Sequence, residues 1–126
     1  AMTASFFDPT GSPGRTYGTS IDTVNGNGTT SGAATAISAP TGWTIVIINT
    51  LDGSNRAAIL PSAMAVGDIV EAYSTQETSG TAILFLPSGE GWLAGGTASI
   101  AVGNTNSGVL LRKLTATQWV VMGAAA

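Results

Sequence analysis

Three carboxylates raise the question of acid/base chemistry: Asp68 and Glu71 in "VGDIVEAY", and Glu90 in "TAILFLPSGEGW". Glycoside hydrolysis needs two carboxyl groups roughly 5 to 10 Å apart, one of them with a raised pKa. On a strand, Asp68 and Glu71 are an odd number of positions apart and face opposite sides. Asp68 reads as the turn residue leading into a strand, Glu71 as a solvated alternation partner, and Glu90 as the solvated charge of a turn. The chain has no histidine and no cysteine, which excludes Ser-His-Asp and Cys-His pairs, His-rich zinc sites, thiolate ligands and disulfides. Asp8, Asp22 and Asp52 fall in separate loops without the spacing of a calcium loop, and "NGNG" at Asn25 to Gly28 has neither the lysine nor the helix of a phosphate loop. No catalytic residue, cofactor or metal ligand is expected.

Aromatic side chains offer a different chemistry, stacking on sugar rings or on a partner's apolar groups. Trp43 precedes "TIVII" and Trp119 precedes "VVM", positions that predict core or interface. Trp92 lies between Glu90-Gly91 and Gly95-Gly96 and so in a loop. Either it contacts a partner or glycan, with Tyr73 as a further contact, or it is a lid over the sheet edge.

The elements that must position these residues are strands. From Trp43 onward short apolar runs, "WTIVIINT", "RAAILP", "GDIVEAYS", "TAILFLP", "TASIAV", "GVLLRKL" and "TQWVVMG", alternate with Asp-Gly, Ser-Gly, Gly-Gly and Asn-rich breaks. No window has the length and periodicity of a helix, although "LPSAMAVGD" could hold a single helical turn. The expected fold is all-β, an antiparallel meander forming a sandwich or barrel-like domain over residues 40–126. Residues 1–39, dense in Gly, Thr, Ser and Asn, form an extended N-terminal arm with one or two short strands, and "VNGNGT" suits a hairpin tip. Ile45-Val46 followed by Ala58-Ile59-Leu60 recurs as Ile69-Val70 followed by Ala82-Ile83-Leu84. The simple reading of this repeat is two similar hairpins.

Side-chain alternation bears on assembly. In "AILFL" Ile83 and Phe85 point one way, Leu84 and Leu86 the other, and "IVII" at Ile45 to Ile48 is likewise apolar on both faces. One core covers one face. The second cover is another layer of the same subunit or a neighbouring subunit, and Ile83, Leu84, Phe85 and Leu86 are the candidate oligomer interface.

Charged residues make up 9% of the 126, with a net charge of −3. Four Lys and Arg in all argue against a nucleic-acid partner, and a strand sends the adjacent Arg112 and Lys113 to opposite faces. No apolar run approaches the roughly 18 residues of a membrane helix, and the first residues lack a signal-peptide pattern. The chain reads as soluble and unprocessed, with no membrane partner.

The stretch from Leu60 to Gly123, about half of the chain, resembles a domain of bacteriophage virion proteins, especially head decoration proteins and head or tail fibres. The residues that carry it are "LPSAMAVGDIVEAYS", "ILFLPSGE", a Gly-Gly turn, "SIAV" and "GVLLRKLTATQWVVMG". The resemblance implies a structural, often trimeric, all-β subunit on the virion, synthesised in the host cytoplasm. It would meet further copies of itself and the major capsid protein as a decoration or cement protein of the outer capsid. The alternative is a receptor- or glycan-binding module of a fibre, with a host surface glycan as partner. The arm before Pro40 departs from the pattern, and no enzymatic residue is carried over.

Overall fold

The computed structural model describes residues 19–38, 42–50, 55–75, 81–102 and 108–124. Ten strands are formed: β1 (Thr19–Asn25), β2 (Thr35–Ala36), β3 (Trp43–Asn49), β4 (Arg56–Ile59), β5 (Ile69–Ser74), β6 (Ala82–Phe85), β7 (Gly91–Trp92), β8 (Ser99–Val102), β9 (Gly108–Lys113) and β10 (Gln118–Ala124). The described residues contain no helix, and each of the seven apolar runs supplies a strand. "LPSAMAVGD" forms turns, not a helical turn; in one of them Asp68 N–H donates to Ala65 O at 3.0 Å.

The strands pair differently from a meander. They alternate between a six-stranded sheet, in the order β1-β3-β5-β9-β10-β7, and a four-stranded sheet, β2-β4-β6-β8. β1, β3 and β5 run parallel, as do β2, β4 and β6. The first six strands thus make three successive two-strand rungs of a solenoid-like arrangement. Antiparallel pairing begins only where β8 meets β6, β9 meets β5 and β10 meets β9.

The repeated unit is therefore an arch that crosses the core, not a hairpin. β3 and β4 hydrogen-bond to their counterparts in the next rung instead of to each other: Ile45 lies opposite Glu71, and Ala58 opposite Leu84. The sequence repeat aligns Ile45 with Ile69, two residues from the structural register. A shift of two preserves the face to which each side chain points, so the repeat was detectable despite the offset. Apolar residues on both faces of a strand are also a property of parallel sheets.

Residues 19–38 of the arm build the first rung, with β1 against β3 and β2 against β4. "VNGNGT" is the corner that carries the chain between sheets, with Gly26 N–H bonded to Asn49 O and Asn27 N–H to Ala57 O, both at 2.9 Å. A Cβ on Gly26 would lie 2.6 Å from the Arg56 Cβ, so glycine is what lets the corner pass this close. On the outer side Asn49 Nδ2 donates to Asn25 Oδ1 at 3.0 Å and Thr75 Oγ1 donates to Asn49 Oδ1 at 2.8 Å, a polar ladder linking the three rungs.

Between the sheets the core stacks large on small: Val46, Ala72 and Val109 lie in one row, Ala58 and Leu84 in another, and all are buried. Trp119 is the largest fully buried side chain. Leu84 and Leu86 belong to this core, at 0% and 2% exposure, and are not available to a neighbouring subunit. Their alternates Ile83 and Phe85, half-buried on the outer face, remain of the four residues expected at an interface.

Candidate functional site

Two glutamates each receive a tryptophan indole N–H, one inside the protein and one outside. The inner one is Glu90. Pro87, which lacks an N–H, ends β6, and Glu90 N–H donates to Pro87 O at 3.0 Å across a turn that needs glycine at Gly89, φ +82°. This turn folds the carboxylate inward. Lys113 Nζ lies 3.0 Å and Trp119 Nε1 2.7 Å from the same oxygen, Glu90 Oε1.

Lys113 also donates to Met64 O at 3.0 Å and stands 6.0 Å from the centroid of the Trp119 ring. With side chains 5% (Lys113) and 8% (Glu90) exposed, this is a buried ion pair tying the loop before β5 and the turn after β6 to β9 and β10. Glu90 is thus not the solvated turn charge the sequence suggests. Alternation does hold for its partner: Lys113 points in and Arg112 out.

The outer glutamate, Glu71, lies on β5 midway in register between Trp43 on β3 and Tyr73 on its own strand. Trp43 Nε1 donates to Glu71 Oε2, and Tyr73 Oη donates to Glu71 Oε1 at 2.7 Å. The Tyr73 phenol is held above its usual pKa, chiefly because its O–H bonds to the Glu71 carboxylate, then through desolvation and the negative charge of Glu71. Tyr73 in turn sits on Gly108: a Cβ there would come within 2.5 Å of the ring.

Trp43 and Tyr73 are 40% and 38% exposed. With Glu71, Gly108, Val109, Leu110 and Gly123 they line an open trough of about 360 Å³ on the outer face of the six-stranded sheet. Trp43 was expected in a core or interface. Its face could have been inferred from Asn49, which shares its alternation and stands in the outer polar ladder, whereas Thr44, Val46 and Ile48 are the buried set.

Trp92 and Tyr73, named together as partner contacts, do not share a site. β9 and β10 lie between their strands, a separation of roughly 14 Å at the usual strand spacing. Trp92 packs half-buried against the core, its Nε1 donating to Thr97 O at 2.8 Å, the geometry of a lid on the sheet edge. Beside it an apolar cleft of about 480 Å³ is lined by Leu93, Ile100, Val120 and Val121 among others, with no charged side chain.

The three carboxylates first considered for catalysis are separated. Asp68 is buried, its Oδ2 accepting Ala65 N–H at 2.9 Å; Glu71 faces the outer trough; Glu90 is paired inside. Asp22 accepts the Ser38 N–H at 2.9 Å and braces β1 to the segment after β2. Asp8 and Asp52 lie outside the described residues, among which no group of three His, Cys, Asp or Glu gathers to hold a metal. Among the described residues no helix is long and apolar enough to cross a membrane. No family model, curated protein or solved structure matches this chain.

Proposed function

We propose that the chain is a structural subunit of a bacteriophage virion, a decoration protein that assembles as a trimer on the outer capsid and stabilises it by contact with the major capsid protein. The observation that carries this reading is where the charge sits. Of the seven charged side chains among the described residues, Arg112 alone is exposed; Asp22, Arg56 and Glu71 are half-buried, Asp68 and Lys113 are buried, and Glu90 is paired inside.

The surface that the described residues form is thus poor in exposed charge, and another protein can cover it while stripping water from few ions, the step that makes charged surfaces costly to bury. Exposed Leu93, Val121 and Met122, together with half-buried Ile83 and Phe85, supply the apolar part of such a contact. On this reading the protein acts by burying surface and turns over no substrate.

The test is mass spectrometry of purified particles, followed by heat or chelator challenge with and without the protein. Its presence in the particle and a higher temperature of genome release are expected; particles equally stable without it would remove the cement role.

A second reading, a receptor- or glycan-binding module of a head or tail fibre, is favoured by the aromatic and carboxylate groups in the outer trough. Binding to host cells or their surface glycans by the isolated protein separates it from the first.

A further inference from the structure

Resting on that second reading, we infer that the trough formed by Trp43, Glu71 and Tyr73 is a subsite for a neutral hexopyranose ring. The argument starts from the carboxylate. Glu71 has one oxygen bonded to the Trp43 indole N–H and the other to the Tyr73 hydroxyl. A carboxylate offers about four lone-pair positions, so each oxygen can still accept a donor from the trough that it lines. Two neighbouring equatorial hydroxyls of a pyranose present two donors at the spacing of a carboxylate's oxygens.

The same two bonds fix the rings. Trp43 and Tyr73 each lose rotamer freedom to the contact with Glu71, and Tyr73 is further seated on Gly108. A platform ordered before the ligand arrives loses less entropy on binding. Both aromatics keep more than a third of their surface exposed, available to the apolar C–H face of a sugar.

The floor of the trough is kept low by glycine. Gly108 and Gly123 contribute no side chain where β9 and β10 pass the trough, and its volume of about 360 Å³ is open to solvent at the outer face. The lining residues include no Lys or Arg, so nothing offsets Glu71 against a sialic acid, a uronic acid or a phosphate. The occupant that matches one fixed acceptor pair and two aromatic surfaces is an uncharged sugar.

The test is a glycan array carrying neutral hexopyranosides alongside sialylated, phosphorylated and choline-bearing arms, followed by calorimetric titration of the best neutral binder. Wild-type protein is expected to select the neutral arm. Trp43→Ala and Glu71→Gln should each weaken binding at least tenfold while unfolding like the wild type, and Trp92→Phe should leave it unchanged.

Selection of the choline or anionic arms would overturn the assignment. Neutral-glycan binding that survives Trp43→Ala and Glu71→Gln but is lost in Trp92→Ala would place the site elsewhere and leave the glycan-binding reading standing. No binding to any arm would end both.

Discussion

Lys113 and Glu90 meet at 3.0 Å inside the protein, where Lys113 also donates to the carbonyl of Met64, 49 positions away, and Glu90 accepts the indole N–H of Trp119. Each of these contacts joins segments distant in the sequence. In a chain with so few ionic groups, using two of them internally both fastens the last strands to the solenoid rungs and leaves Arg112 as the one exposed charge among the described residues.

Removing one partner of this pair should be costly. Lys113→Met strands a buried carboxylate, and a loss of about 3–5 kcal/mol is expected in urea unfolding. The double variant Lys113→Met, Glu90→Gln should regain part of that loss, because no unpaired charge remains. A double variant as unstable as the sum of the singles would contradict the pairing.

The corner glycines should resist substitution. Gly26→Ala places a methyl 2.6 Å from the Arg56 Cβ, and overpacking of this kind costs about 1–3 kcal/mol. Gly28→Ala combines a φ of +59° with an approach of 2.5 Å to the Ala33 Cβ and should lower the thermal midpoint as well. Unchanged midpoints would show that the rungs do not pass so closely.

Tyr73 should titrate late. Its pKa is raised by the hydrogen bond to Glu71, so in a Tyr17→Phe background the phenolate absorbance should appear at higher pH than for free tyrosine, near 10. Glu71→Gln should bring it back down. For a group whose folded pKa is raised, the stabilisation is complete below the unfolded value of about 10 and is lost as pH climbs through the folded value. An ordinary midpoint in the wild-type protein would mean that the bond does not persist in solution.

The two faces of β6 should separate folding from assembly. Leu84→Ala opens a cavity in the core and is expected to cost about 2–5 kcal/mol without altering the number of subunits. Phe85→Glu, on the outer face, should leave the monomer's unfolding nearly unchanged while weakening self-association. Sedimentation alongside denaturant unfolding reads both, and the opposite pattern would reverse the assignment of faces.

Strand positions were legible in the sequence because runs such as "TIVII" and "AILFL" are short, β-branched or aromatic, and bounded by turn residues. Their pairing was not. "IVII" and "AILFL" are apolar on both faces, which suits a strand awaiting a second subunit and a strand within a parallel sheet equally well. The repeat held the answer, since an offset near 24 residues is long for a hairpin and suits a solenoid rung.

The inward turn of Glu90 was hidden for a different reason. Its partners lie at positions 113 and 119, and only the fold brings them together. Tyr73 was singled out, but its companion Trp43 was assigned to a core or interface because the inner and outer residues of β3 are both apolar.

Light scattering on the isolated protein tests the proposed assembly most directly. The proposed trimer predicts a mass near three times the 12.5 kDa of one chain, falling toward a single chain in Phe85→Glu. A mass of one chain for the wild-type protein, over a range of concentrations, would contradict it.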